Sequence, residues 1–383
     1  MTKNQQDDWN PKDESVLQDQ RRAYDEMRGR CPVAHSQLMG WSLFRHADIA
    51  AVLADPTAFS NVSRFLHIPN SMDPPEHGPY QKVIAGLLDD GQLARLEPRA
   101  REIAATLLGP MRDAAETDFI AAFATPFAMQ TLCALLGWPD QQWEWLAAWV
   151  QGNQQAAFDE DPVAGKALAQ DFSARVTANV VGRRVAPGDV GDVSDTTAAL
   201  LRAEVDASPF SDAQIVAILR NWVAGHGTVA AALGILALYL AGHTDLQDRL
   251  RKDPSLIPAA IEEILRVDDP LVANRRTTTR ALEIQGRTIA KGETLSLMWM
   301  AANRDPLAFD DPDVVKLERH TDAGMVWGQG IHLCLGARLA RLEMRVALEE
   351  LLTRTTRVEL ADTAPRRSVY PGNGLDVLML HTG

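Results

Sequence analysis

The 383-residue sequence is poor in cysteine. Cys31, Cys133 and Cys334 are an odd number, widely spaced and without a CxxC pair. That spacing excludes a disulfide scaffold and a cysteine-based zinc centre, and it points to a reducing compartment. Positive charge is also scarce: 38 Lys and Arg stand against 51 Asp and Glu, a formal charge of −13. An acidic chain of this size binds polyanions poorly, so nucleic acid is not an expected partner. The N-terminal stretch MTKNQQDDWNPKDES lacks the charged-then-apolar order of a signal peptide. The longest apolar run, Val229 to Ala241, has 13 residues, too few for a bilayer core of about 30 Å. A cytoplasmic protein with no membrane partner is the expectation.

What is present is apolar material at helical spacing, within a composition that is 46% hydrophobic. Length alone suggests two or three domains. The pattern predicts helices over 13–29 and His46–Ala54, two between Leu93 and Leu136, and one after the turn Gly137-Trp-Pro-Asp140. A longer helix should start at the Ser211-Asp212 cap and stop at Gly242. Further helices are expected from Pro258 to Val267 and over 335–354. Strands are expected at Trp41–Phe44, Leu282–Ile284 and Leu295–Met298, and loops over 184–194 and 303–330. The expected fold class is mainly α with a minor β region.

The densest chemical signal runs from Trp327 to Glu343, WGQGIHLCLGARLARLE. It places one cysteine, Cys334, on a glycine-punctuated loop directly before a helix. Gly328, Gly330 and Gly336 permit positive φ and close approach of the backbone to a flat ligand. The following helix points N–H groups and its positive end at the sulfur, which favours a thiolate suited to a soft or redox metal such as haem iron.

WGQGIHLCLG resembles the cysteine loop of the bacterial cytochrome P-450 haem-thiolate monooxygenases, with Trp327 where that family usually has Phe. The resemblance implies the P-450 fold, a single haem-centred helical domain over 1–383 with no fused reductase, and haem b as cofactor. It makes Cys334 the axial iron ligand and metal site, His332 a propionate contact, and Trp327, Gly328 and Gly336 part of the cofactor cradle. An indole N–H at Trp327 is expected to bond the thiolate. Glu263-Ile-Leu-Arg266 resembles the family's Glu-x-x-Arg motif and Arg319 its second arginine; together they imply a buried network bracing the loop. Gly40–Asp48, Ala302-Asn-Arg-Asp-Pro306 and Phe309-Asp-Asp-Pro-Asp313 extend the likeness over nearly the whole chain.

Two further motifs carry the resemblance. Ala224-Gly-His-Gly-Thr228, inside the long apolar helix, resembles the oxygen-binding motif Ala-Gly-x-(Asp/Glu)-Thr. Two interior glycines each cost about 1 kcal/mol against alanine, which implies either close helix packing or a widened groove over a ligand. Thr228 can bond the i−4 carbonyl and bend the helix, or relay protons. Gly227 stands where the family has an acid. Proton delivery then falls to Thr228 and water, with Gly225, Gly227 and His226 around it, and slow or uncoupled turnover that releases peroxide is the expectation. Met72-Asp-Pro-Pro-Glu-His77 resembles the start of the propionate-side helix. It makes His77 and Arg276 propionate contacts, with Gln81, or Lys82 beside it, where the family has arginine.

The segment between Ser60 and Asp73 is short, with Phe65, Leu66, Ile68 and Met72 as candidate substrate contacts, alongside Leu271–Asn274 and Pro371–Leu375. The chain carries no flavin, nicotinamide or iron–sulfur fingerprint, which implies electrons from a separate ferredoxin and ferredoxin reductase. Arg338, Arg341 and Arg345 either pair with acids such as Glu343 and Glu349 or form a docking patch for that ferredoxin. The expected function is a monomeric monooxygenase using dioxygen to hydroxylate or dealkylate a small organic substrate. A peroxygenase driven by hydrogen peroxide and a haem-thiolate sensor that binds a ligand without oxygenating it are the alternatives.

Overall fold

The computed structural model describes residues 7–63, 66–185, 195–319 and 322–383. Most of the expected loop over 184–194, and the candidate contact Phe65, lie outside the described residues.

The organising element is a 30-residue helix, Asp212–Ala241, here called the central helix. Its start is fixed by a reciprocal capping box. Ser211 Oγ accepts from the Gln214 N–H at 3.3 Å, and Gln214 Oε1 accepts from the Ser211 N–H at 2.9 Å. It is long and apolar enough to cross a membrane, yet its most apolar 18 residues are 67% buried inside the protein. It is a core helix with a different neighbourhood at each end. Ile215–Val223 packs with Leu132, Trp149 and Phe172. Val229–Ala241 packs with Ile103, Phe123, Ile264 and Leu348. The site sits where the two halves meet.

Around it run Asp90–Asp113, Thr125–Leu136, Trp143–Phe158, Ile257–Val267 and Ala337–Arg354; the last, here the ligand helix, follows the cysteine loop. The break expected within 93–136 is a short strand, Thr117–Asp118, followed by a wide π-helical turn, Ile120–Ala124. The helix expected over 13–29 is interrupted at Asp19, whose carboxylate accepts from the Arg22 N–H at 3.0 Å and caps the second piece, Gln20–Arg30. Among the elements with no counterpart in the sequence pattern are the helices Pro162–Val185 and Thr244–Lys252 and the strands Val33–Ser36 and Ala273–Thr278.

A five-stranded sheet flanks the helical body, in the order Val33–Ser36, Gly40–Leu43, Thr294–Met298, Ala273–Thr278, Phe59–Ser60. Only Gly40–Leu43 and Thr294–Met298 are parallel. Alternation along Ala273–Thr278 turns Arg276 and Thr278 inward, with Arg276 paired against Leu295. That alternation delivers a guanidinium to the site.

Candidate functional site

A cavity of about 480 Å³ lies between the central helix, the sheet and the cysteine loop. Gly225, His226 and Thr228 reach it from the central helix and Arg276 from the sheet. Trp327, Gly328, His332, Cys334 and Gly336 reach it from the loop. Gly227, His77 and Gln81 do not line it, although the His77 ring lies 4.4 Å from that of His332.

The loop is built backbone-first. The Cys334 N–H donates to the Trp327 carbonyl at 2.9 Å. Gly328 and Gly330 have φ of +68° and +70°, which side chains other than glycine rarely tolerate. A Cβ on Gly330 would also meet the Leu53 carbonyl at 2.7 Å. Gly336 departs from the expectation: its φ is −82°, so positive φ is not its role. A Cβ there would sit 3.9 Å from Cys334 Sγ, in ordinary van der Waals contact, so the site tolerates a small side chain beside the sulfur. Burial pushes the Cys334 thiol up, against the N–H groups of Gly336 and Ala337 and the charge of Arg341, which favour the thiolate.

Behind the loop the expected charge network is complete. Glu263 accepts from Arg266 Nε at 2.7 Å, Arg319 Nε at 3.0 Å and the Lys316 N–H at 3.0 Å. Arg266 also donates to the carbonyls of Asn303, Pro312 and Val314. The Asn303 side chain in turn accepts from the Met325 N–H at 2.7 Å, two residues before Trp327. Charged donors thus hold the irregular 303–319 stretch at several points, which is how a long loop stays in place without regular structure.

The Trp327 expectation is corrected. Its indole N–H donates not to the sulfur but to Glu262 Oε2, at 2.9 Å. Arg341 also binds Glu262, at 2.6 Å, and lies 4.6 Å from the Trp327 ring centre. Arg338 pairs with Asp90, and Arg345 with Glu97 at 2.8 Å and Glu349 at 3.1 Å. The three arginines are therefore neutralised where they stand, and Glu343 is not among their partners.

At the opposite edge, polar groups lack partners. Both ring nitrogens of His332 are buried with no hydrogen bond, and buried Arg276 makes only one, to the Arg275 carbonyl at 2.8 Å. Burial, then the nearby Arg276 and His77, pull the His332 pKa down to about 4. Burial pulls Arg276 down to about 10, against the opposing charge of Asp73. Unsatisfied buried donors are costly unless a ligand meets them. This set fits the carboxylate edge of a flat cofactor whose metal is bound by sulfur. Gln81 spends its amide N–H on the Ile331 carbonyl at 2.9 Å, bracing the loop, and Lys82 is exposed.

The glycines of the central helix divide the two readings between them. A Cβ on Gly225 would meet nothing within 4 Å, so this residue widens the cavity wall. A Cβ on Gly227 would lie 2.6 Å from Val150 Cγ1, so Gly227 faces the helix Trp143–Phe158, and close packing accounts for it. A glutamate there collides with Val150. His226 turns towards the ligand helix: Nδ1 donates to the Trp222 carbonyl at 2.9 Å, and Nε2 meets buried Glu343 at 3.2 Å. Burial presses the His226 pKa down, but the Glu343 carboxylate outweighs it and the net shift is upward. Its polar atoms are committed to a helix–helix pin. Thr228 opens onto the cavity with no hydrogen-bond partner among the described residues, and the helix runs through it unbroken.

The cavity roof differs from the apolar lining expected. Ile68 and Met72 pack into the core, and the roof consists of Asn61, Ser63, His67, Asn70 and Ser71. Asn61 Nδ2 donates to the Asn70 carbonyl at 2.8 Å, and Asn70 Nδ2 reaches Asn221 Oδ1 on the central helix at 3.3 Å. Leu271 and Asn274 line the cavity as expected, whereas Gly374 packs against Ala231 outside it.

A sulfur on a loop, an under-bonded buried set of Arg276 and His332, and a hydroxyl on a long crossing helix fit a cofactor-dependent redox site. Comparison with known proteins gives the family. Residues 169–380 match the family model described as Cytochrome P450. Erythromycin C-12 hydroxylase of Saccharopolyspora erythraea is 34% identical over 87% of this chain and 86% of its own length. Cyclomarin C epoxidase CymV of Salinispora arenicola is 32% identical over 88% of each. A solved structure of a mutant of P450 EryK in complex with erythromycin B superposes with a TM-score of 0.85 at 30% identity, over 95% of this chain and 96% of that one. The chain belongs to the cytochrome P450 family; it has the P450 fold and is a monooxygenase that binds haem b through a cysteine thiolate.

Proposed function

We propose that this chain works as one haem-centred unit in which Cys334 would ligate the iron, His332, Arg276 and His77 would receive the propionates, and Thr228 would offer its hydroxyl from the central helix to the same cavity. The observation that carries this reading is the pairing of one cavity-facing sulfur with buried His332, whose ring nitrogens have no partner among the described residues, and Arg276, which has one hydrogen bond. The bound haem supplies reductive activation of dioxygen. The protein holds the thiolate with backbone N–H groups and keeps a hydroxyl proton available at Thr228 Oγ1. Beside it, Gly227 faces Val150, so no carboxylate stands at that position and proton supply passes through Thr228 and water.

Hydroxylation of a small, hydrogen-bonding organic substrate is the reaction the site favours. The amide-rich lining, Asn61 and Asn70 in the roof, Asn221 on the central helix and Asn274 on the sheet, suits oxygen- or nitrogen-bearing molecules better than bare hydrocarbons. The relatives' names, an erythromycin hydroxylase and a cyclomarin epoxidase, support that class. Electrons come from a separate ferredoxin and its reductase, in the cytoplasm, to a monomeric enzyme. The neutralised arginines make its docking less salt-dependent than an open basic patch requires.

The test is product formation from a polyoxygenated macrocycle, with dioxygen plus a ferredoxin system in one arm and hydrogen peroxide alone in the other. Turnover in the first arm with little in the second supports the monooxygenase. Turnover in the second arm alone replaces it with the peroxygenase, to which the missing acid lends weight. A substrate-induced spin shift with turnover in neither arm replaces it with the non-oxygenating sensor.

A further inference from the structure

Trp327 is tied to its surroundings twice. Its carbonyl accepts the Cys334 N–H at 2.9 Å, so its backbone helps set where the sulfur lies. Its indole N–H is held by Glu262 at 2.9 Å, and the same carboxylate is gripped by Arg341 at 2.6 Å, whose guanidinium covers the indole face at 4.6 Å. Three elements meet in this triangle: the helix Ile257–Val267, the cysteine loop and the ligand helix. A phenyl ring has no N–H to give, so the triangle exists only because residue 327 is tryptophan. Glu262 and Arg341 are 20% and 45% exposed, so the triangle is screened on one side and reaches the surface on the other.

We propose that Glu262 is a positioning residue that, by holding the Trp327 indole, fixes the backbone carbonyl that orients Cys334 and thereby tunes the haem. Partners of this kind, one bond removed from a metal ligand, set its orientation and the potential of the metal. Arg341 is the outer clamp. Its bond to Glu262 and its stacking on the ring are both lost when its side chain is removed. The inference rests on Cys334 being the axial ligand. That reading has its own check: Cys334→Ser loses the red-shifted ferrous–CO absorbance of thiolate ligation, whatever Glu262 does.

The experiment is a double-mutant cycle on the haem-loaded chain, read as reduction potential and ferrous–CO band position. Wild type, Glu262→Ala, Trp327→Phe and the double variant are compared. Action through the indole predicts that each single variant shifts the potential and that the double shifts no further than Trp327→Phe alone. Glu262→Gln keeps an acceptor oxygen for the indole and should restore most of the Glu262→Ala shift. Additive shifts overturn the proposal, because Glu262 then acts as a bare charge on the iron. An unchanged potential in Glu262→Ala also overturns it. Should Glu262→Ala fail to take up haem, Arg341→Ala in the wild-type and Trp327→Phe backgrounds closes an equivalent cycle: a shift present only with Trp327 supports the proposal, and equal shifts in both reject it.

Discussion

The two sides of the site are built on opposite rules. Behind the cysteine loop almost every charged group is satisfied: Glu263 takes three donors, and Arg266, 1% exposed, fills its donors with that carboxylate and three carbonyls. Across the cavity the groups are left open: Thr228 without a partner, His332 with two orphaned nitrogens, Arg276 with one bond. Saturated networks rigidify and unsatisfied ones invite ligands. On the proposed reading the closed side holds the chemistry still, and the open side is where cofactor and substrate would complete the hydrogen bonding. Substitutions should separate the two sides by what they damage.

The largest effect belongs on the closed side. Glu263→Gln leaves Arg266 and Arg319 without their shared anion inside the protein, and breaking a buried pair from one side costs about 3–5 kcal/mol. Urea unfolding of the haem-loaded chain should show that loss together with poor haem retention. A stability within about 0.5 kcal/mol of wild type would break the comparison, since the loop would then stand without its brace.

An intermediate effect belongs to the pin between the two sides. His226 sits above its ordinary pKa, with burial opposing and Glu343 prevailing, and Glu343 is the charged group that the ligand helix turns to it. The folded state therefore holds a proton that the unfolded chain releases near pH 6.5. This contribution is full below that value and is lost as the pH rises through the folded-state pKa. Each tenfold tightening of proton binding by the folded state is worth about 1.4 kcal/mol. Stability measured from pH 6 to 9 should fall in wild type and fall less in His226→Gln. Equal slopes would show the pair to be neutral throughout.

How much of this was legible in the sequence follows from the same division. The cap at Ser211, the stop at Gly242, Cys334 and the Glu263 network could be read because each depends on local spacing or a dense motif. Helical spacing already turns His226 about 100° around the helix from its neighbour, but the partner each residue meets could not be read. Gly227 and His226 are neighbours of Thr228 in sequence, yet the helix turns one to Val150 and the other to Glu343. The indole of Trp327 likewise chose Glu262 over the sulfur because a charged acceptor on another helix lies within reach. The strand Ala273–Thr278 was hidden by its Asn, Arg and Thr content, since alternation there serves the cavity and not a hydrophobic core.

The smallest structural effect, and the sharpest functional one, belongs to the open side. Thr228 contributes no hydrogen bond to the fold and faces the cavity, so Thr228→Ala should leave stability within about 0.5 kcal/mol of wild type. On the proposed reading its hydroxyl passes the proton, because the pin engages both nitrogens of His226 and no acid stands at 227. With a saturating substrate and a ferredoxin system, the variant should consume reducing equivalents at a similar rate while the peroxide released per equivalent rises. Glu343, the carboxylate that also lines the cavity, is engaged by His226 through one oxygen, so the rise measures how far its other oxygen can replace the lost hydroxyl. An unchanged peroxide yield at unchanged stability would assign proton supply to water alone, and the open side would then be a binding surface without a catalytic hydroxyl.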